Sequence, residues 1–128
     1  MIDSLKKVVA NAYAPYSNYQ VGAAVVMKDG QKFYGVNVEN ASYGATVCAE
    51  RNAINTAITY GYQKKDFMEI HIMNNTNKKG MPCMLCRQVF VELLNPLVDV
   101  FVYNINGEFS QFKVSDLCPN PFSEDNLK

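Results

Sequence analysis

Three cysteines in this sequence have a spacing that suits metal binding. Cys48 lies in TVCAERNAI, and Cys83 and Cys86 form a C-x-x-C pair in PCMLC. An apolar helical pattern follows each segment, so all three thiols fall at the start of a predicted helix, where the partial positive charge of the helix end lowers the pKa of a thiol. We therefore expect all three cysteines to favour the thiolate form. Thiolates in a tetrahedral arrangement are typical ligands of zinc.

The number of ligands distinguishes a structural zinc site from a catalytic one. A structural site has four protein ligands, whereas a catalytic site has three and leaves one position for water. The two other candidates are Cys118, in LCPN, and His71, in EIHIM. We expect His71, in the middle of a predicted strand, to be an ordinary hydrogen-bonded residue, and Cys118 to pack as a small apolar side chain. The sequence thus favours three ligands.

Two charged residues close to Cys48 have both an ordinary and a chemical interpretation. Glu50 could stabilise the first turn of a helix, an effect worth about 0.3–1 kcal/mol, or it could exchange protons with water at the metal. Arg51 could be a solvated helix residue. It could also withdraw charge from the sulfurs, since three thiolates on a divalent cation leave a net negative site. The local sequence alone favours the ordinary interpretation of Glu50.

The cysteines allow other interpretations as well. A single C-x-x-C pair can be redox-active or can have no role. Four cysteines in a small chain also permit disulfides, although these are rare in reducing compartments. The N-terminal segment MIDSLKKVVANAY has no apolar run typical of a signal peptide, and no segment has the roughly 20 apolar residues of a membrane span. We therefore expect a cytoplasmic protein.

Composition and charge limit the classes of partner. The chain has 128 residues, with 12 basic and 12 acidic side chains and a formal net charge of zero. Long nucleic acids and acidic membranes require a basic surface, so neither is an expected partner, whereas a small neutral ligand is compatible. The length suits one domain, and there is no repeat or linker. We predict a single domain over residues 1–128.

Hydrophobic periodicity predicts an alternation of helices and strands. Helices are expected over residues 2–12, 48–60 and 83–94. The predicted strands are a hairpin in YQVGAAVVMKDGQKFYGVNV, with its turn at Asp29-Gly30, and then FMEIHIMNN, LVDVFVYN and EFSQFKV. Strand–helix–strand alternation favours parallel strands covered by helices, and the hairpin makes the sheet mixed. The predicted fold is a three-layer α/β/α sandwich with a mixed five-stranded sheet.

Longer segments of the chain resemble a known family. CAER followed by PCMLCRQ is similar to the signature of the small zinc-dependent cytidine deaminases, in which a glutamate that is not a ligand transfers protons. AYAPYSNYQVGAAV, NVENASYG and LCPNPFSEDNL are similar to further family segments, in the family's order. The resemblance covers nearly the whole chain. A cysteine in CAE, in a chain of this length, is typical of the short homotetrameric nucleoside deaminases.

The resemblance implies roles for the residues of the metal site. Glu50 would shuttle a proton between water and substrate. Arg51 would donate to the ligating sulfurs, and Gln88, in the second motif, would support the site beside it. One zinc ion per subunit would be held by Cys48, Cys83 and Cys86.

The resemblance also implies how a substrate would bind. Asn37 and Glu39, in NVENASY, are similar to residues that hold the ribose 3′-hydroxyl. Tyr19 occupies a position from which the family usually packs a phenylalanine against the base. Backbone groups at Thr46 and Ala49 would orient the base.

The activity implied by the resemblance is hydrolytic deamination of cytidine and deoxycytidine to uridine and deoxyuridine, with release of ammonia, as in pyrimidine salvage. The substrate would be a nucleoside, since the matched segments supply no cationic group to bind a 5′-phosphate. Active sites would be shared within a homotetramer. Tyr43 would reach toward a neighbouring subunit's site, and Phe122 would provide an aromatic ring at the rim.

Two departures from the family pattern and two alternative functions stay open. Met84 and Leu85 replace a glycine and a small residue, and the hydroxyl of Tyr19 needs a partner if it is buried. The chain could deaminate another cytosine compound, such as a nucleoside antibiotic, although NVEN resembles a ribose-binding segment. It could also be a non-catalytic zinc-stabilised module, which a fourth ligand from Cys118 or His71 would favour.

Overall fold

A mixed five-stranded sheet forms the centre of the protein, in a computed structural model that describes residues 1–128. The spatial order is β2-β1-β3-β4-β5. β3 and β4 are parallel, and the other neighbouring strands are antiparallel. The strands are β1 (Val21–Met27), β2 (Lys32–Val36), β3 (Phe67–Asn74), β4 (Asp99–Tyr103) and β5 (Phe109–Lys113).

Helices cover both faces of this sheet, which confirms the predicted three-layer α/β/α fold. The helices are α1 (Ile2–Val9), α2 (Ala49–Thr59), α3 (Met84–Leu93) and the short α4 (Val114–Leu117). α1 ends three residues earlier than predicted, because Asn11 and Ala12 bond to the carbonyls three residues before them and form a turn. No helix combines the length and the apolar character that crossing a bilayer requires.

Alternating side chains divide the core into two clusters, one on each face of the sheet. On β3, Ile70 and Ile72 point into the large cluster under α2 and α3, whereas Met73 joins a smaller cluster under α1. The small cluster consists of Leu5, Val9, Ala24, Met73 and Tyr103. The large cluster positions α2 and α3, whose N-termini carry the three cysteines of interest.

Gly35 of β2 allows α2 to lie directly on the sheet. A Cβ atom at this position would be 2.6 Å from the carbonyl oxygen of Ala49 and 2.9 Å from the carbonyl carbon of Asn52. Such distances are well below the contact distance of about 3.5–4.0 Å, so only glycine permits this packing. The first turn of α2 is thereby fixed against β2.

A short backbone pairing fixes the segment that leads into α2. Val38 and Val47 exchange two backbone hydrogen bonds of 3.0 and 3.1 Å, and Tyr13 bonds to the backbone on either side of Val38. Glu39 and Cys48 each follow a residue of the Val38–Val47 pair. Their relative position is therefore set by main-chain bonds, although a loop with a 3-10 helix at Tyr43–Ala45 separates them along the chain.

Candidate metal centre and active site

The three predicted ligands meet between the N-termini of α2 and α3. Cys48 and Cys83 are the N-cap residues of these helices, and Cys86 lies in the first turn of α3. The Sγ–Sγ distances are 3.8 Å for Cys48–Cys83 and 3.6 Å for Cys83–Cys86. In a tetrahedral site with Zn–S bonds of 2.3 Å, two sulfurs lie about 3.8 Å apart. The three thiols therefore fit one tetrahedral zinc ion, and all the cysteines are free rather than disulfide-bonded.

The remaining cysteine and the histidine lie elsewhere. The metal-binding group consists of the three thiols alone, all within 4.8 Å of one another. Cys118 lines a different cavity, together with Val91 and Pro119. His71 points to the α1 face of the sheet, where its Nδ1 and Nε2 atoms bond to Tyr103 and Glu69. Three protein ligands leave one coordination position for water, as in catalytic sites.

The ionisation of the thiols agrees only partly with the sequence-based expectation. A hydrogen bond from Cys86 is the main cause that lowers the pKa of Cys48 to about 5. The same bond, together with burial, raises the pKa of Cys86. The lowered pKa of Cys48 agrees with the expected preference for the thiolate, whereas burial and the same hydrogen bond oppose that preference at the completely buried Cys86.

Arg51 lies against the thiols, as the electrostatic argument requires. Its Nη2 atom donates to Cys48 Sγ at 3.4 Å and approaches the carbonyl oxygen of Thr46 at 3.5 Å. The hydrogen bond with Cys48 is the main cause that raises the pKa of Arg51. Gln88 is placed differently from the expectation: its side-chain amide donates to the backbone carbonyl of Phe122 at 2.8 Å and not to a sulfur. It holds the C-terminal tail against α3.

Glu50 is a buried carboxyl at the wall of a cavity. It occupies the first turn of α2, is only 5% exposed, and lines the same cavity as Cys48 and Cys83. Burial raises its pKa to about 7, an effect that a hydrogen bond from its own backbone partly opposes. Stabilising a helix dipole requires no burial, so the ordinary interpretation of Glu50 does not account for its position. A carboxyl here can accept a proton from water in the cavity and release it again.

The cavity has a volume of about 290 Å³ and contains most of the predicted site residues. The predicted residues at its wall are Tyr19, Asn37, Glu39, Thr46, Cys48, Ala49, Glu50 and Cys83. Sequence reasoning missed five others, namely Ser17, Val21, Ile72, Gly80 and Met81. Gly80 and Met81 immediately precede the PCMLC motif, and this closeness in sequence could have identified them as cavity residues. The other three are brought in by the fold.

Asn37 and Glu39 reach the cavity but are also bonded to the protein. The Asn37 side chain accepts from Val21 N at 2.9 Å and donates to Tyr19 O at 2.8 Å. Because a primary amide has two N–H donors, one remains. Glu39 accepts from the backbone N–H groups of residues 16 and 17 and from the Ser17 hydroxyl, which holds its pKa below the usual range. It is therefore an ionised acceptor at the cavity wall.

Tyr19 is 40% exposed and lines the cavity with its aromatic ring beside Glu50 and Gly80. Burial is the main cause that raises the pKa of its phenol, and the charge of Glu50 adds to it. The side chain of Asn74 opposes this shift as a hydrogen-bond partner of the phenol.

Tyr43 and Phe122 lie outside this cavity. Tyr43 is 77% exposed and lines an adjoining groove with Tyr16, Glu39 and Thr46. Phe122 is 58% exposed and belongs to neither space. Within one chain, therefore, the structure brings together the residues predicted to hold the metal, ribose and base, but not these two aromatic residues.

Comparison with known proteins agrees with this geometry. The family model for the cytidine and deoxycytidylate deaminase zinc-binding region matches residues 1–102. A cytidine deaminase from Halalkalibacterium halodurans is 42% identical over 116 residues, which is 91% of this chain and 86% of the relative. The crystal structure of cytidine deaminase from Burkholderia pseudomallei superposes with a TM-score of 0.90 at 44% identity, covering 94% of this chain and 95% of that one.

Three thiols placed to bind one metal ion, beside a buried carboxyl at the cavity of an α/β/α sandwich, define a metal-dependent hydrolase. The chain belongs to the cytidine and deoxycytidylate deaminase family. Zinc is the metal of the matched region, which spans both cysteine segments. The sulfur-only donor set and the Sγ–Sγ distances fit this ion.

Proposed function

We propose that the protein catalyses the hydrolytic deamination of cytidine and deoxycytidine to uridine and deoxyuridine with release of ammonia, as a step of pyrimidine salvage. The observation that carries this proposal is the single cavity shared by a buried Glu50 and the thiols of Cys48 and Cys83. We assign zinc binding to these two cysteines and Cys86. The whole of residues 1–128 would form one catalytic domain.

A zinc ion bound by three thiolates would supply Lewis acidity that lowers the pKa of a water molecule to about 7. Glu50 accepts the proton of that water at its carboxylate and delivers it to N3 of the cytosine ring. As the water oxygen adds to C4, its remaining proton passes through Glu50 to the amino group, the bond from C4 to that group breaks, and ammonia leaves. The overall reaction converts cytidine and water into uridine and ammonia. Arg51 stabilises the charge on the Cys48 sulfur during these steps.

We assign substrate orientation to the residues at the opposite wall of the cavity. The ionised Glu39 and the free amide N–H of Asn37 would bind the ribose 3′-hydroxyl. The ring of Tyr19 would pack on the base. Backbone groups at Thr46 and Ala49, which line the cavity, would orient its polar edge. No lysine or arginine lines the cavity or the adjoining groove, which favours a nucleoside over a 5′-monophosphate.

We further propose a cytoplasmic homotetramer in which active sites are shared between subunits. The support is a set of large apolar side chains that are highly exposed near the site: Tyr43 is 77% exposed, Met84 and Leu85 are each 67% exposed, and Phe122 is 58% exposed. Covering such side chains with a second copy would remove them from water. Tyr43 and Phe122 would then contact a neighbouring subunit's substrate. Reducing conditions would keep the thiols free to bind zinc.

One experiment tests the metal, the reaction and the substrate class together. Zinc content and ammonia release are measured on the purified protein with cytidine, deoxycytidine, cytosine and cytidine 5′-monophosphate. We expect one zinc ion per chain and rapid release from the two nucleosides only. Zinc binding without ammonia release from any of these compounds would instead support a non-catalytic zinc module. Sedimentation of the active protein tests the tetramer, and a fully active monomer would contradict shared sites.

A further inference from the structure

Gly80 lies in the loop between β3 and Cys83 and lines the same cavity as Tyr19. A Cβ atom at position 80 would overlap the hydroxyl oxygen of Tyr19 and would lie 2.9 Å from Asn74 Nδ2. Ordinary contacts between such atoms begin at about 3.5 Å. The Tyr19 hydroxyl therefore occupies the space that any side chain at position 80 would need.

The backbone on the Tyr19 side of this contact is held at several points. The carbonyl oxygen of Tyr19 accepts from Asn37 Nδ2 at 2.8 Å. The side chain of Asn75 bonds to both neighbours of Tyr19, since it donates to Asn18 O at 3.0 Å and accepts from Gln20 N at 3.2 Å. The main chain at residue 19 consequently cannot withdraw from Gly80 without breaking these bonds.

The Gly80 side of the contact is held equally well. Asn74 is 2% exposed, and its Oδ1 atom accepts from the backbone N–H and the hydroxyl of Thr76 at 2.7 and 2.6 Å. Its Nδ2 atom donates to Lys78 O at 2.8 Å. These bonds fix the start of the loop that carries Gly80. Asn74 is also unable to move aside, because its amide is already engaged on both atoms.

Only the ring of Tyr19 is free to yield. It is 40% exposed, so rotation about its side-chain torsions can carry the hydroxyl away from the loop into open solvent. Such a rotation would displace the aromatic face that lines the cavity. A methyl group at position 80 would thus act on the cavity through Tyr19.

We propose that Gly80 and Tyr19 form a matched pair that fixes the base-side wall of the cavity. Because Gly80 has no side chain, the hydroxyl of Tyr19 fits against its backbone. This contact holds the aromatic ring in the orientation that packs on a pyrimidine base. Gly80 is a positioning residue that acts through Tyr19. The inference rests on the proposed function for the identity of the base, whereas the pairing itself rests on the contacts of these two residues.

A double-mutant cycle tests the pair. Gly80→Ala should raise KM for cytidine by at least about tenfold, as overfilled sites do, with kcat changed less than threefold. Tyr19→Phe removes the hydroxyl and keeps the ring, so in its background the same substitution no longer meets the hydroxyl oxygen but keeps the 2.9 Å contact with Asn74 Nδ2, and it should raise KM several-fold less than it does in the wild type. The dissociation constant of uridine, measured by calorimetry on the zinc-loaded protein, should follow the same pattern. Zinc content should stay at one ion per chain in all variants.

Two matched controls isolate the contact. Gly44→Ala adds a methyl group where no atom lies within 4 Å, and it should leave KM and the uridine dissociation constant unchanged. Tyr62→Phe removes a hydroxyl that donates to Asp29 Oδ2 at 2.7 Å, away from the cavity, and it should not relieve the effect of Gly80→Ala. Relief by Tyr62→Phe would contradict a specific pairing.

The outcomes separate the pairing from the activity. Equal penalties of Gly80→Ala with and without Tyr19→Phe would overturn the pairing while leaving deamination intact. A wild-type protein that binds uridine but releases no ammonia would overturn the proposed function, and the cycle measured on uridine binding would still decide the pairing. If Gly80→Ala alone does not fold, the double variant must fold and bind uridine for the proposal to stand.

Discussion

Each face of the sheet buries a titratable side chain, and these two side chains have different surroundings. On the α1 face, His71 is 6% exposed, stacks on Phe101 with ring centroids 4.5 Å apart, and bonds through both nitrogens to Tyr103 and Glu69. On the α2 and α3 face, Glu50 is similarly buried at 5% exposure but lines a cavity. The first group is surrounded by protein, whereas the second borders space for a ligand.

This difference separates a structural polar group from a functional one. Burying a polar group is tolerated when the protein satisfies its hydrogen bonds, which stabilises one arrangement of the core. Burying a carboxyl at a cavity wall costs stability and is retained where chemistry requires it. Substitutions on the cavity face should therefore affect function at little cost in folding stability, and substitutions around His71 should do the opposite.

The largest effect is expected from loss of a metal ligand. Cys86→Ala removes one of the three thiols of the proposed zinc site and should reduce both zinc content and ammonia release to near background, since thiolate ligands hold the ion directly. The measurement is zinc per chain together with turnover of cytidine. Cys118→Ala is the matched control, because this thiol lines a separate cavity, and it should retain both. Full zinc content in Cys86→Ala would contradict the assignment.

The next largest effect should come from Glu50→Gln. General acid–base groups contribute about 10²- to 10⁴-fold to rate, so kcat should fall by at least about 100-fold while zinc content is unchanged. The variant should unfold at the same temperature as the wild type or higher, because a buried ionisable group becomes neutral. Steady-state kinetics and thermal unfolding measure both effects. A kcat within tenfold of the wild-type value would rule out the proton-transfer role.

A smaller effect is expected at Glu39, which we assign to binding of the ribose 3′-hydroxyl. Glu39→Gln replaces an ionised acceptor by a neutral one and should raise KM for cytidine by about tenfold, because hydrogen bonds to charged acceptors are the stronger ones. The same change should hardly affect 3′-deoxycytidine, which lacks the hydroxyl in question. Comparing the two substrates in wild type and variant separates ribose recognition from a general disturbance of the site. An equal loss for both substrates would argue against the assignment.

The smallest effect on activity is expected on the opposite face. His71→Phe keeps the ring stacking but leaves the buried Tyr103 hydroxyl without its partner, which should cost about 1–3 kcal/mol of unfolding free energy with kcat unchanged.

Burial lowers the pKa of His71 from its usual value. The unfolded chain therefore binds the His71 proton more readily, and the contribution of this residue to stability is lost as pH drops below about 6.5. The raised pKa of Glu50 acts in the opposite direction in both proteins, so the measurement is the difference in unfolding free energy between wild type and variant from pH 5 to 8, which should shrink as pH falls.

Much of the site was predictable because its signals are local. Cys48, Glu50 and Arg51 lie within four positions, and the C-x-x-C spacing places Cys83 and Cys86 at one helix start. The mixed sheet followed from strand periodicity and from the Asp29-Gly30 turn. These features depend on residues that are neighbours in sequence, and the fold alters little about them.

The remaining features depend on contacts between distant parts of the chain. The close contact between Gly80 and the Tyr19 hydroxyl arises only once β1 and β3 pair. The same pairing brings Val21 and Ile72 to the cavity wall. Gln88 turned out to hold the carbonyl of Phe122, since the C-terminal tail folds back along α3. No spacing rule encodes such contacts, because each requires the register between elements that the sequence pattern leaves unspecified.

The Val38–Val47 pairing has a consequence for how this scaffold can be remodelled. Two main-chain bonds fasten the ends of the loop between them, so the positions of Glu39 and Cys48 do not depend on the length of the loop. Extending or replacing residues 42–44 at its tip should therefore keep the relative position of Glu39 and Cys48, although loss of Tyr43 would remove the ring proposed to reach a neighbouring site. The tip carries Tyr43 and borders the outer groove, which makes it the natural site to engineer acceptance of bulkier nucleosides.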